Sequence, residues 1–166
     1  PTVIDATVDF LLEECQGGDA LEFGVGTGRI ALPLSDRGVK VAGIDLSQAM
    51  LDQLARKPGA DAIEVTRGDF ADTRVAGSFS LVYLVFNTIM NLTTQPEQVA
   101  CFRNAAAHLV PGGRFVVEVM VPDLQRLPPG QTGAAHQQTL CRLSRTPQRL
   151  CLDRPRAGHS GRPVHP

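Results

Sequence analysis

The stretch Leu21-Glu22-Phe23-Gly24-Val25-Gly26-Thr27-Gly28-Arg29-Ile30 decides how the rest of this 166-residue chain is read. Ala20 to Phe23 predicts a short strand. Glycines at positions 24, 26 and 28 then permit positive φ and let a ligand approach the backbone closely, which a Cβ would block. Arg29 to Asp36, with Ile30, Ala31 and Leu34 on one face, predicts a helix despite Pro33 near its first turn. A helix opened by such a turn offers its N-terminal amides to a carboxylate or another anion. A dinucleotide loop needs G-x-G-x-x-G. Counted from Gly24, its third glycine falls where the chain has Arg29. The spacing present is E-x-G-x-G-x-G, with Glu22 at the strand end, where it can accept from an ammonium or lie behind the loop. That favours an amino-acid-like ligand over a pyrophosphate.

Working outward, apolar residues at helical spacing predict a helix from Thr2 to Gln16, with Val3, Thr7, Phe10 and Leu11 recurring until Gly17-Gly18 stops the pattern. Downstream, Val39 to Ile44 predicts a second strand ending at Asp45. Ser47 is a good N-cap for a helix to about Arg56 with Met50, Leu51 and Leu54 inward, and Pro58-Gly59 ends it. Ala62 to Thr66 predicts a third strand, followed by Gly68-Asp69-Phe70. Phe79 to Phe86 is nearly continuous in apolar residues, as a strand covered on both faces should be. A helix over Gln95 to Leu109 places Val99, Phe102, Ala106 and Leu109 on one stripe. Pro111-Gly112-Gly113 then turns into a fifth strand, Arg114 to Met120. Strands alternating with helices imply an α/β fold: a doubly wound, mostly parallel sheet.

Two further acids fall on the same edge of that sheet. Asp45 ends the second strand 21 residues after Gly24, where a carboxylate in a βαβ unit accepts from ribose hydroxyls. Asp69 follows the third strand, where an acid can accept from an adenine amino group and the Phe70 ring can lie on the base.

Residues 1–122 carry nine Lys and Arg against fifteen Asp and Glu, net −6; residues 123–166 carry seven Arg against Asp123 and Asp153, net +5. An acidic body gives no electrostatic footprint for nucleic acid. No apolar run is long enough to span a membrane, and the acidic first residues are not a secretory signal. Cys15, Cys101, Cys141 and Cys151 show neither C-x-x-C spacing nor paired histidines, so no metal site is read and a reducing cytoplasm fits best. Opening on Pro1 points to a missing N-terminal segment. Residues 1–122 therefore read as one domain and 123–166 as an atypical Arg/Pro-rich tail. All eight aromatic residues precede position 116, and the last 44 residues hold one Val and no Ile. Such a segment buries too little apolar surface to order well. The change of text near Gln131–Gly133 is what a shifted reading frame produces.

The run LEFGVGTGRIALPLSDRGVKVAGIDLS, then GDF, then FSLVYLVFNTIMNL, then HLVPGGRFVVEV resembles the class I S-adenosylmethionine-dependent methyltransferases, over about residues 2–122. More narrowly, it is similar to the bacterial small-molecule enzymes of that class. The resemblance implies a Rossmann-like fold in which Glu22, Phe23 and the loop Gly24, Val25, Gly26 to Gly28 hold the methionine part of the cofactor. It assigns Asp45 to the ribose, Leu46 and Met50 to the side of the adenine, and Asp69 with Phe70 to the adenine amino group. Phe86, Asn87 and Thr88 then lie near the sulfonium methyl. The activity implied is in-line methyl transfer to a small-molecule acceptor, with no nucleic acid or membrane as partner. No residue stands out as a base. Asn87 and Glu118 are the candidates, although Thr88-Ile89 after Asn87 departs from the Asn-Pro-Pro-aromatic signature of many amino-group methyltransferases. The family's C-terminal antiparallel strand pair is not legible here, and a sheet edge left open by its loss favours homodimerisation. Two alternatives stand beside this reading. One is a truncated nucleoside-binding domain with little or no methyl transfer. The other, disfavoured by Arg29, is a NAD-dependent oxidoreductase.

Overall fold

The computed structural model describes residues 2–120 and the backbone of 149–153. The chain runs α1 (Val3–Cys15), β1 (Ala20–Phe23), α2 (Ala31–Ser35), β2 (Val41–Asp45), α3 (Gln48–Leu54), β3 (Glu64–Arg67), β4 (Phe79–Leu84), α4 (Gln95–His108), β5 (Leu109–Glu118) and β6 (Arg149–Asp153). The strands form one sheet in the order β3-β2-β1-β4-β5-β6. The first five are parallel, and β6 is antiparallel to β5 with Glu118 opposite Arg149. Central β1 is buried along its whole length. The chain leaves β1 toward β2 on one side and reaches β4 on the other, so a crevice opens beyond its C-terminal end.

The caps are local and explain where two helices begin. Thr2 and Asp5 satisfy each other's backbone amides ahead of α1, and Thr94 and Glu97 do the same ahead of α4. Helices α1, α2 and α3 cover one face of the sheet through Leu11, Leu34 and Leu54. On the other face α4 packs over Phe23, Ile44, Leu84 and Phe115. Two buried cysteines lie in these layers, and burial pushes the Cys15 thiol up to about 11 and the Cys101 thiol up to about 12. Among the described residues, no helix is long and apolar enough to cross a membrane.

Several boundaries differ from the sequence-based expectation, each for a physical reason. The stripe of α4 is rotated: Cys101, Asn104, Ala105 and His108 are buried, whereas Val99 and Ala106 are exposed. Counting apolar residues misplaces this face because two of its buried members are polar and hydrogen-bonded. Strand β3 starts two residues late, since Gly59 at φ 79° opens a 3-10 turn over Ala60–Ala62. Strand β5 already begins at Leu109, and a register shift between Phe79 and Leu81 accommodates the Pro111–Gly113 stretch. Strand β4 ends at Leu84 because Phe86 and Asn87 turn into the left-handed region, at φ 57° and 63°. Within the tail, 149–153 forms a strand that showed no period of two in the sequence. The rest of that tail, 123–148 and 154–166, with the expected break near Gln131–Gly133, lies outside the described residues.

Candidate functional site

The glycine loop is lashed to the end of β2. Gly24 and Val25 amides both donate to Ile44 O, at 2.8 and 3.1 Å. Asp45, nine-tenths buried, takes the Gly26 amide on Oδ2 at 2.7 Å and the Ser47 amide on Oδ1 at 2.8 Å. Each carboxylate oxygen has two acceptor positions, so one remains on each for a ligand hydroxyl. Lys57 reaches across from beyond α3 and donates to Thr27 O at 2.7 Å. The three glycines do different work. A Cβ on Gly26, at φ 54°, would lie 2.8 Å from Met50 Cε, on the cavity wall. A Cβ on Gly28 would lie 2.4 Å from Leu54 Cδ1, so this glycine serves helix packing.

Glu22 and Tyr83 face each other across β1 and β4, and the Tyr83 hydroxyl donates to Glu22 Oε2 at 3.0 Å. Both side chains are buried. Burial raises the Glu22 carboxyl to about 8 against the opposing effects of the Tyr83 hydroxyl, the Ala31 amide and the Arg29 charge. Burial, and the neighbouring Glu22, likewise push the Tyr83 phenol well above its ordinary value. Burial thus favours the protonated form of Glu22 at the wall of the crevice.

A cavity of about 550 Å³ occupies the crevice. Of the residues expected from the sequence, it brings together Glu22, Gly24, Val25 and Gly26 from the loop, and Asp45, Leu46 and Met50 from the end of β2 and α3. Asp69 and Phe70 come from beyond β3 and Phe86 from beyond β4. Met50, expected inward, is 41% exposed and turned to the glycine loop. Four expected residues are placed elsewhere. Phe23 points into the core and stacks on Phe70 at 5.9 Å between ring centroids. Gly28 packs on Leu54, as above. Asn87 and Glu118, the candidates for acceptor chemistry, tie the end of β4 to the end of β5 instead of lining the cavity.

Sequence reasoning missed three contributions. Arg29, noted only as a missing glycine, lines the cavity and lays its guanidinium 4.3 Å from the centroid of the Phe86 ring. Asn91, in the 3-10 turn after β4, completes that wall beside Thr88, which the sequence already places there. Asn104 holds the Asp69–Phe70 loop from behind, its amide donating to Phe70 O at 2.8 Å and Thr73 O at 2.9 Å. His108 Nε2 accepts from the Val75 amide at 3.1 Å while Nδ1 lies 2.9 Å from Asn104 O, which sets a neutral ring, and burial lowers its pKa accordingly. No short-range pattern marks these residues, because their partners lie some 30 positions away in the chain.

A methyltransferase domain family model matches residues 20–113. The chain belongs to that family and has the class I, Rossmann-like methyltransferase fold, whose cofactor is S-adenosylmethionine. It is 33% identical over 106 residues to a cypemycin N-terminal methyltransferase from Streptomyces sp., a match that covers 64% of this chain and 43% of that one. The solved CcbJ methyltransferase of Streptomyces caelestis is 38% identical with a TM-score of 0.70, over 77% of this chain and 53% of that one. CalS10 of Micromonospora echinaspora, an amino pentose methyltransferase solved with S-adenosylmethionine bound, is 27% identical with a TM-score of 0.61, over 71% and 50%. The chain spans about half the length of these relatives. The residues present fit the cofactor: the Gly24 and Gly26 backbone lines the cavity beside Glu22, whose carboxyl is buried there, and Asp45 keeps acceptor capacity for hydroxyls.

Proposed function

We propose that this chain binds S-adenosylmethionine and takes part in methyl transfer to a nitrogen of a small-molecule acceptor. One observation carries the cofactor part. Three acids, Glu22, Asp45 and Asp69, stand at the C-terminal ends of the neighbouring strands β1, β2 and β3 and line one cavity with the glycine loop. That line of acceptors is complementary to a ligand with an ammonium at one end and an adenosine at the other. The nitrogen acceptor is supported by the relatives, one named a cypemycin N-terminal methyltransferase and another an amino pentose methyltransferase.

When bound, S-adenosylmethionine supplies an already activated methyl group for in-line displacement, so the protein's task is proximity and orientation. Glu22 holds the cationic end once it ionises. Asp45 takes the ribose hydroxyls while staying bonded to Gly26 and Ser47, which keeps loop and nucleoside in one register. The turn at Phe86, beneath Arg29, walls the cavity on the β4 side and leaves the acceptor to enter past Thr88 and Asn91.

Titration calorimetry of the whole chain with S-adenosylhomocysteine, and with NAD in parallel, tests this reading. Micromolar binding of the first alone is expected. Binding of neither by a folded sample removes the cofactor from the proposal, and a preference for NAD replaces methyl transfer by hydride transfer.

A further inference from the structure

The turn at the end of β4 is held in a conformation that its first residue, Phe86, disfavours. Phe86 and Asn87 are consecutive left-handed residues, and a bulky aromatic is rare there because its Cβ crowds the following backbone. The end of β5 meets this turn with three hydrogen bonds. Glu118 Oε2 accepts from the Phe86 amide at 3.1 Å, Glu118 O accepts from the Asn87 amide at 3.2 Å, and Asn87 Oδ1 accepts from the Met120 amide at 3.3 Å. The first of these has a half-buried carboxylate as acceptor, which makes it the strongest kind of bond among the three. The left-handed turn is what sets the Phe86 ring on the cavity wall below the Arg29 guanidinium. It also brings Thr88 Cγ2 to 2.8 Å from the point a Cβ on Gly24 would occupy, flush against the glycine loop. Because β4 and β3 lie on opposite sides of β1, this wall bounds the end of the cavity away from Asp69.

We propose that Glu118 is a positioning residue of the cofactor site: by latching the Phe86–Asn87 turn it sets the wall at the amino-acid end of the ligand, and leaves the nucleoside end to Asp45 and Asp69. The inference rests on the cofactor reading above. Glu118 does not line the cavity, so it acts through the Phe86 backbone, as supporting residues do when they hold a binding wall in its productive geometry.

The test is calorimetric titration of the full chain with two ligands, S-adenosylhomocysteine and adenosine, in wild type, Glu118→Ala, Glu118→Asp and Glu118→Gln. Loss of a charge-assisted bond in Glu118→Ala is expected to weaken S-adenosylhomocysteine about tenfold and adenosine less than about twofold. Glu118→Gln keeps an acceptor oxygen and should stay within about threefold of wild type for both ligands. Glu118→Asp, one methylene short of the amide, shows the same selective loss at smaller size and serves if the alanine variant does not fold. Unchanged S-adenosylhomocysteine affinity in Glu118→Ala and Glu118→Asp overturns the proposal, and so does an equal loss for both ligands, which marks general loosening. Failure of the wild type to bind S-adenosylhomocysteine overturns the cofactor reading itself and this inference with it.

Discussion

The two sides of β1 build the same cavity by different means. On the β2 side the wall is main chain shaped by nearby residues. Three glycines supply positive φ, Asp45 closes the loop with a bond to Gly26, and Ser47 begins the next helix two residues later. On the β4 side the wall is a turn of Phe86 and Asn87, held by β5 some 30 positions on; Asn87 tolerates the left-handed shape, but the bulky Phe86 has no local preference for it. The first side is encoded where it stands. The second exists only because another strand arrives beside it. Single substitutions should therefore break the β2 side outright and merely bias the β4 side.

The largest effect is expected at Gly26. Gly26→Val places a branched side chain at φ 54° on the cavity wall, and S-adenosylhomocysteine affinity should fall at least a hundredfold, about 2.7 kcal/mol. Gly38→Ala is the matched control: φ 88° is strained, yet a Cβ there meets nothing within 4 Å. It should cost about 1–2 kcal/mol of stability by thermal melting and no affinity. If both variants lose affinity alike, the glycine loop acts through stability and not through access to the ligand.

Next comes Asp45→Ala, which removes the acceptor of two backbone amides as well as that of the ribose. Affinity for S-adenosylhomocysteine should drop by about 1.5–3 kcal/mol, with Asp45→Asn between the variant and wild type because one oxygen remains. An unchanged titration takes Asp45 out of the site.

The pH dependence set by Glu22 is read in stability and not in affinity. Its carboxyl ionises at about 8 in the folded chain against an ordinary 4.5, so between those values the unfolded chain has lost a proton that the folded chain keeps. Stability from this group is full below about 4.5 and is lost as pH rises toward 8. The decline, on the order of a few kcal/mol, should appear as a falling melting temperature between pH 5 and about 8, and Glu22→Gln should flatten it. A cationic ligand favours the ionised acid, so binding should release a proton, visible as a binding enthalpy that changes with the buffer. A melting curve as steep in Glu22→Gln as in wild type assigns the pH dependence elsewhere.

The smallest effect is the Arg37–Asp9 pair, whose side chains are 41% and 56% exposed. Arg37→Ala should change stability by less than about 0.5 kcal/mol, since water screens such pairs. It marks the floor against which the other variants are judged.

Much of the β2 side was legible in the sequence. Glycine spacing, the acid 21 positions after Gly24 and the Ser47 cap are all short-range signals, and the cavity does gather Glu22, Gly26, Asp45 and Asp69. The division of labour among the glycines was not legible, because whether Gly28 faces a ligand or Leu54 depends on where α3 packs. Phe23 and Phe70 show the same limit. Both are apolar beside the motif, but only packing against Phe115 and His108 decides that Phe23 belongs to the core. Asn87 and Glu118 were conspicuous as polar residues at strand ends, and their work proved to be toward each other's strands.

By itself the sequence determined the order of strands and helices, the parallel sheet and the acidic, glycine-rich mouth at its edge, since periodicity, caps and positive-φ residues act over a few positions. Only the tertiary structure decided the polar face of α4, the burial of Glu22 beside Tyr83, and the left-handed turn held by Glu118. Each of these depends on burial or on a hydrogen bond between residues far apart in the chain. A carboxyl's charge state and a strained turn are set by what surrounds them, and those surroundings exist only once the sheet has formed.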